Sequence, residues 1–396
     1  MIGDVGRQLV LGLGGTVDFE LRWDALVFEK LAREHGVRRD ELTATAPIVD
    51  ERSLLVTILA FVAVGTGAER FVASSEVVEQ FASHFSFDVT LGGTGVRAGL
   101  VLDSLGFPSV QHLVSVDDNV RRLLPARITI LSSAVNDTLD PHLIVQYPVG
   151  AKVRLLDGDV VSPAANRLIF ANDPPNREMA IAASLPDALA TASAFLISGF
   201  NTMQDHDLLE RRLDDILLAM RRMPTDALVY YEDAGFYTRD FAETVRARLL
   251  SYFDVYGMNE DELQEYLGHA VDLLDAPDVV RALRKIQEII PVPALVVHTR
   301  YWAIAVGADA ERHRDALESA VRVAATRYRL GDGFTAAQAE ATADMDRHRS
   351  GARLVSAVEA SMPDAAGVPA YALDIAQPTT IGLGDSFVGG FLSAYA

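Results

Sequence analysis

Short runs of apolar, β-favouring residues recur along the chain, at Gln8–Leu13, Val110–Val116, Ile128–Leu131, Phe195–Ile197, Leu228–Tyr231, Val255–Met258 and Leu295–His298. Between many of them lie longer stretches with apolar residues at helical intervals. In Arg211–Met220 the residues Leu213, Ile216, Leu217 and Met220 share one face, and Phe241–Leu250 and Val279–Ile290 repeat the pattern. Uninterrupted apolar strands separated by amphipathic helices predict an α/β fold, a doubly wound and mostly parallel sheet covered on both faces. Ligands of such sheets bind beyond the carboxyl ends of the strands. Leu54–Val64 is apolar and reads as a buried helix, and Phe19–Glu34 reads as a helix for which Asp18 would be the cap. Two regions break the rhythm. Phe71–Leu91 joins a helix to a strand ending in Gly92-Gly93. Leu143–Phe170 reads as four short strands, Ile144–Tyr147, Lys152–Leu155, Val160–Val161 and Leu168–Phe170. Turn signals such as Asp157-Gly158 and Ser162-Pro163 divide them. A mostly antiparallel patch inside an α/β chain predicts a smaller second domain, a candidate lid. The polar stretch from Phe334 to Arg353, after Gly331-Asp332-Gly333, reads as a helical hairpin able to move.

Composition narrows the function classes. With 35 basic against 55 acidic residues the formal charge is -20, which disfavours a nucleic-acid binder. The absence of cysteine excludes disulfides, thiolate metal sites and thiol nucleophiles. The apolar runs are too short to cross a bilayer, and no targeting segment is evident, so a cytoplasmic protein without membrane partners is expected.

The richest chemistry lies near the end of the chain, at Ile381-Gly382-Leu383-Gly384-Asp385-Ser386-Phe387. Unpaired N–H groups at a helix start cradle anions, and glycine lets that backbone approach a phosphate. Asp385, just inside the helix, is placed to accept a proton from an attacking hydroxyl. An anion hole beside a general base is the minimum equipment for moving a phosphoryl group onto an alcohol. The plainer alternative is a glycine-rich helix start with Asp385 as a cap. Other strand ends add candidates. Gly12-Leu13-Gly14-Gly15-Thr16-Val17-Asp18 offers a carboxylate for sugar hydroxyls. Leu91-Gly92-Gly93-Thr94-Gly95 and Ser198-Gly199-Phe200-Asn201 are glycine junctions that admit a ligand or act as hinges. Glu232 ends one strand, and Asn259-Glu260-Asp261-Glu262 follows the next. Carboxylates at neighbouring strand ends, with an amide, suit Mg²⁺ held largely through water and substrate phosphates. Asn259 and Glu262 also make a capping box, and both roles are compatible. His298-Thr299 ends a further strand, with a nucleotide pocket and a satisfied half-buried histidine as the alternatives. Neither a GxxxxGK[ST] phosphate loop nor an HExxH zinc motif is present, and the first glycine cluster lacks the GxGxxG spacing of dinucleotide-binding dehydrogenases.

The order of these motifs resembles the ADP-dependent glucokinase and phosphofructokinase family of the ribokinase-like superfamily. The series runs from Gly12…Asp18 through Gly92-Gly93, Asn166-Arg167, Ser198-Gly199-Phe200, Glu232, Asn259-x-x-Glu262 and His298-Thr299 to Gly382-x-Gly384-Asp385, nearly the whole chain. The resemblance implies a large nucleotide-binding α/β domain (residues 1–18, 92–134 and 185–396) and a smaller lid (19–91 and 135–184). It implies phosphoryl transfer from ADP, with Mg²⁺, to a hydroxyl of a glucose-like or fructose-6-phosphate-like acceptor. By position, Asp385 corresponds to the catalytic base, and Gly382, Leu383 and Gly384 to the anion hole. Glu232, Asn259 and Glu262 correspond to the residues that organise the metal. Asp18, Gly92, Gly93, Thr94 and Asn201 fall on the acceptor side. Arg167, His298 and Thr299 fall on the nucleotide side. Arg177, with Lys152 and Arg154 in or beside the lid segment, is a candidate seat for an acceptor phosphate. The chain departs from the family pattern where Tyr230 replaces the histidine two residues before Glu232. It departs again at Gly14, Thr16, Thr94 and Asn201, which leaves the acceptor open. An ATP-dependent ribokinase-like sugar or nucleoside kinase, and a catalytically silent sugar- or nucleotide-binding homologue, are the alternatives.

Overall fold

The computed structural model describes residues 7–236, 238–375 and 381–396. Its strands are β1 (Gln8–Leu11), β2 (Thr16–Leu21), β3 (Ala68–Phe71), β4 (Phe87–Gly92), β5 (Ser109–Leu113), β6 (Ile128–Ser132), β7 (His142–Tyr147) and β8 (Lys152–Leu155). They continue with β9 (Gly158–Val161), β10 (Asn166–Ala171), β11 (Ala192–Ile197), β12 (Leu228–Glu232), β13 (Val255–Asn259), β14 (Ala294–His298), β15 (Trp302–Val306) and β16 (Ala365–Pro369).

Nine strands form one sheet, in the order β16-β15-β14-β13-β12-β11-β1-β5-β6. From β14 to β6 every neighbouring pair is parallel, and only β15 and β16 turn antiparallel, at one edge. The strands are apolar throughout because both faces are covered. Val10, Phe195, Ile197, Leu295 and Val297 pack into one core. Their neighbours Leu9, Leu11, Ala194, Leu196, Ala294 and Val296 pack into another on the opposite face. The period of two in a strand delivers alternate residues to each.

Five strands form a second sheet, in the order β3-β10-β7-β2-β4, with its own core built on Phe19, Phe28, Leu54, Phe81, Leu143 and Phe170. It is less antiparallel than the sequence suggests: β2–β4 and β7–β10 are antiparallel, whereas β2–β7 and β3–β10 are parallel. β8 and β9 pair apart from it as a hairpin.

The helix expected over Phe19–Glu34 is also corrected. Residues 16–21 are a strand, with Val17, Phe19 and Leu21 buried among apolar neighbours and Asp18 and Glu20 on the other side of the pleat. The helix starts at Ala25, and its cap is Asp24, which accepts from the Leu26 N–H at 2.9 Å. Asp18 is therefore not a helix cap. The stretch after Gly333 holds the helices Ala336–Thr342 and Arg349–Ser361, with Ala339 and Val358 buried. Among the described residues, no helix is long and apolar enough to cross a membrane.

Candidate active site

The helix Leu383–Leu392 begins directly at the glycine motif. Gly382 is its cap residue with φ 66°, a left-handed conformation that glycine adopts without strain. The Ser386 N–H and hydroxyl both donate to the Gly382 carbonyl, at 3.0 and 2.8 Å, which closes the first turn. The N–H groups of Leu383, Gly384 and Asp385 precede that bond and have no partner inside the helix. They form the positive end of a ten-residue helix whose first turn carries Asp385.

Asp385 opens into a cleft of about 500 Å³ at the carboxyl ends of the large sheet's strands. Glu232, Asn259, Glu262, His298 and Gly384 line the same cleft, as do Thr94, Asn201 and Arg167. Candidates scattered over nearly three hundred residues of sequence thus meet in one place. A second cleft, of about 580 Å³, adjoins it and shares Asn259, His298 and Gly384. Thr299 lines this second cleft with Tyr328, Tyr371, Val321, Ala325 and Leu373, an apolar and aromatic wall.

Glu232 is held from both sides. Its Oε1 lies 2.9 Å from His298 Nε2, and its Oε2 accepts from the Tyr230 hydroxyl at 3.1 Å. Room for this pair exists because position 257 on the next strand is glycine; a Cβ there would lie 2.1 Å from Glu232 and 2.3 Å from Tyr230. Burial raises the Glu232 carboxyl above its ordinary range, and His298 opposes that shift. The His298 ring stacks on Phe387 of the helix Leu383–Leu392 with centroids 4.5 Å apart. Tyr230 thus meets the carboxylate from its own strand, and the histidine contact comes from β14.

Asn259 and Glu262 do form the capping box. Asn259 Oδ1 accepts from the Asp261 and Glu262 N–H groups at 2.7 and 3.1 Å, and the Asn259 N–H donates to Glu262 Oε2 at 2.7 Å. Burial, with Glu232 and Asp233 close by, pushes the Glu262 carboxyl up to about 9. Among the described residues, no three His, Asp or Glu side chains converge to ligate a metal directly. The donor set still fits a hydrated divalent cation. Two carboxylates with raised pKa values, the buried Glu232 and the half-buried Glu262, face one cleft, and a double positive charge would restore their ionised forms.

Other expected residues stand further back. Asp18 is buried and does not line the cleft. Its Oδ1 accepts from the Thr16 hydroxyl at 2.7 Å, and its Oδ2 accepts from Arg97 at 3.2 Å. Gly92 ends β4 and Gly93 caps the helix Thr94–Leu105, so both position Thr94 and do not themselves wall the cleft. Arg177, half-buried, donates to Asn172 Oδ1 at 3.2 Å and lies outside the cleft lining. Asp233, next to Glu232 in the same acidic strand end, lines the cleft too, and its Oδ2 accepts from the Tyr256 and Tyr266 hydroxyls at 2.8 and 2.6 Å. The sequence reading missed Glu69, which reaches the cleft from the small sheet. It also missed Arg97. The one basic residue inside the mostly apolar run Val96–Leu105 was the available signal.

A search of curated protein sequences finds no match. Among solved structures, the chain is similar to a hypothetical ADP-dependent phosphofructokinase from Pyrococcus horikoshii OT3, with 17% identity, a TM-score of 0.78 and 98% of each chain covered. It is similar also to a phosphofructokinase from the same organism with AMP, with 16% identity, a TM-score of 0.79 and 98% of each chain covered. A third is an ADP-dependent kinase in complex with fructose-6-phosphate and ADPβS, with 15% identity, a TM-score of 0.73, and 98% of this chain and 93% of that one covered. At these identities the likeness shows a shared fold. The model of the ADP-specific phosphofructokinase/glucokinase conserved region matches residues 7–386, and the chain therefore belongs to this family of ADP-dependent sugar kinases.

Proposed function

We propose that this ADP-dependent kinase acts on a sugar phosphate of the fructose-6-phosphate kind, with Asp385 as the base for the acceptor hydroxyl. The observation that carries this reading is Asp385 at the mouth of the helix Leu383–Leu392, in one cleft with Glu232, Asn259, Glu262, Thr94, Asn201 and Arg167. Asp385 takes the hydroxyl proton, the freed oxygen bonds to the terminal phosphorus of ADP, and the bond to the bridging oxygen breaks to release AMP. The N–H groups of Leu383, Gly384 and Asp385 hold the transferring oxygens. The second cleft, with its aromatic wall, accepts the nucleoside, and Thr299 stands at its edge.

Glu232, Glu262 and Asn259 would hold Mg²⁺ through water. When bound, that ion offsets negative charge on the phosphates. Arg167 faces the phosphates from the small sheet, and an arginine fork matches their oxygens. A sugar phosphate is favoured as acceptor because a kinase of the same fold is in complex with fructose-6-phosphate, and Arg167 brings a cation to the cleft here.

The test is a panel in which ADP and ATP are each offered with fructose-6-phosphate, glucose and ribose at fixed Mg²⁺. AMP should appear with ADP and fructose-6-phosphate at the highest kcat/KM. A preference for ATP, or for an unphosphorylated sugar, would overturn the assignment.

A further inference from the structure

Resting on the reading of Asp385 as the base, we propose that Arg97 is a positioning residue, a single buried guanidinium that aims Asp385 and ties it to the acceptor side of the cleft. Arg97 lies in the first turn of the helix Thr94–Leu105 and is 6% exposed. Three carboxylates surround it. Its Nη2 is 3.2 Å from Asp18 Oδ2 and 3.7 Å from Glu20 Oε1, both on β2 of the small sheet. Its Nε is 3.9 Å from Asp385 Oδ2, on the helix that covers the large sheet. One cation thus joins acids from both sheets across the place where a hydroxyl must be held and deprotonated. Burial works against its charge, but Asp18, Asp385 and Glu20 outweigh it, and the guanidinium is held more firmly charged than usual.

The glycine motif is shaped for this arginine as well as for phosphate. A Cβ at Gly382 would sit 2.6 Å from Arg97 Cδ and 3.1 Å from Nη1. The other groups near Asp385 cannot take over the task. Arg327 is committed to Asp332 at 2.7 Å and to the Ile381 carbonyl. His298, whose Cε1 lies 3.4 Å from where a Gly384 Cβ would be, gives its Nε2 to Glu232. Arg97 is the cation that stands beside Asp385, with its Nε 3.9 Å from Oδ2. A lysine would keep the charge but lacks the fork that reaches two carboxylates at once.

The test uses the full-length enzyme and four variants, Arg97→Met, Arg97→Lys, Arg97→Met with Asp18→Asn, and Asp385→Asn. In Arg97→Met, kcat at neutral pH should fall between about tenfold and 10²-fold, with KM for ADP within about threefold. Arg97→Lys keeps the charge without the fork and should not restore kcat. The double variant carries less unpaired buried charge, and it should show the same split between kcat and KM even where Arg97→Met folds poorly. Asp385→Asn should be nearly inactive yet still bind nucleotide. Near-normal kcat in the Arg97 variants beside an inactive Asp385→Asn would overturn this inference alone. Near-normal turnover by Asp385→Asn would remove the base itself, and the inference with it.

Discussion

Glu262 serves two purposes with one carboxyl group. Its Oε2 takes the Asn259 N–H and closes the start of the helix Glu260–Leu267. The same group is half-buried at the edge of the cleft, where its proton is held up to about 9. Glutamine can keep the cap but cannot become an anion. In Glu262→Gln, the Mg²⁺ concentration for half-maximal turnover should therefore rise about tenfold or more. The Tm should move by only about 2–4 °C, the scale of a cap interaction near 1 kcal/mol. A large fall in Tm with an unchanged Mg²⁺ response would leave Glu262 as a cap and nothing more. Much of the site was legible at this scale, because glycine, carboxylate and amide at strand ends have few other uses together. Asp385, Glu232, Asn259, Glu262 and His298 do share a cleft. Arg97 was hidden because its partners, Asp18 and Asp385, lie 79 and 288 positions away in the numbering.

At the scale of elements, His112 joins β5 to the segment after the helix Pro174–Glu178. Its Nε2 accepts the Ala182 N–H at 3.0 Å, so the ring is neutral there. Burial lowers its pKa to about 4 from an ordinary 6.5. A depressed pKa means that the unfolded chain takes up the proton first. The stability tied to this group is complete above about pH 6.5 and is lost as pH falls toward 4, roughly 3 kcal/mol when fully developed. His112→Gln keeps an acceptor for Ala182 and removes the titration. Denaturant unfolding at pH 7 and pH 4.5 should show a smaller acid loss in the variant; parallel losses would clear His112. The elements themselves were read well where strands are continuous and branched, as in β1, β12 and β14. β2 was missed although Asp18 and Glu20 alternate with its apolar residues, because the strand is only six residues long and the helix that follows masks the change of period. β16, Ala-Ala-Gly-Val-Pro, carries little β propensity and gains its place by pairing with β15.

For the whole molecule, the cleft is a joint product of two sheets. Arg167 comes from β10 of the small sheet, and Asp385 from the helix over the large one. Arg167→Ala should raise KM for the phosphorylated substrates about tenfold or more with a modest change in kcat, since a lost charged hydrogen bond is of that order. Arg177→Ala serves as the comparison. If it raises KM for a sugar phosphate far more than for the matching sugar while Arg167→Ala does not, the phosphate seat belongs to Arg177.

The chain passes between the two sheets four times, after β1, β4, β6 and β10. Three of these passages touch: the Gly15 carbonyl accepts from Asn176 Nδ2 at 3.0 Å, and a Cβ on Gly93 would lie 3.0 Å from Gly15 Cα. Bodies joined by one tether can swivel and drift. Bodies joined by several strands bundled at one margin can do little more than rock about that margin, as a book does about its spine. Closure of such a pair would remove one rotation and not a whole orientation, so little disorder would be given up. The same stitching means that neither half can be cut out at a single linker, and limited proteolysis should yield nicked whole molecules in place of a free small domain.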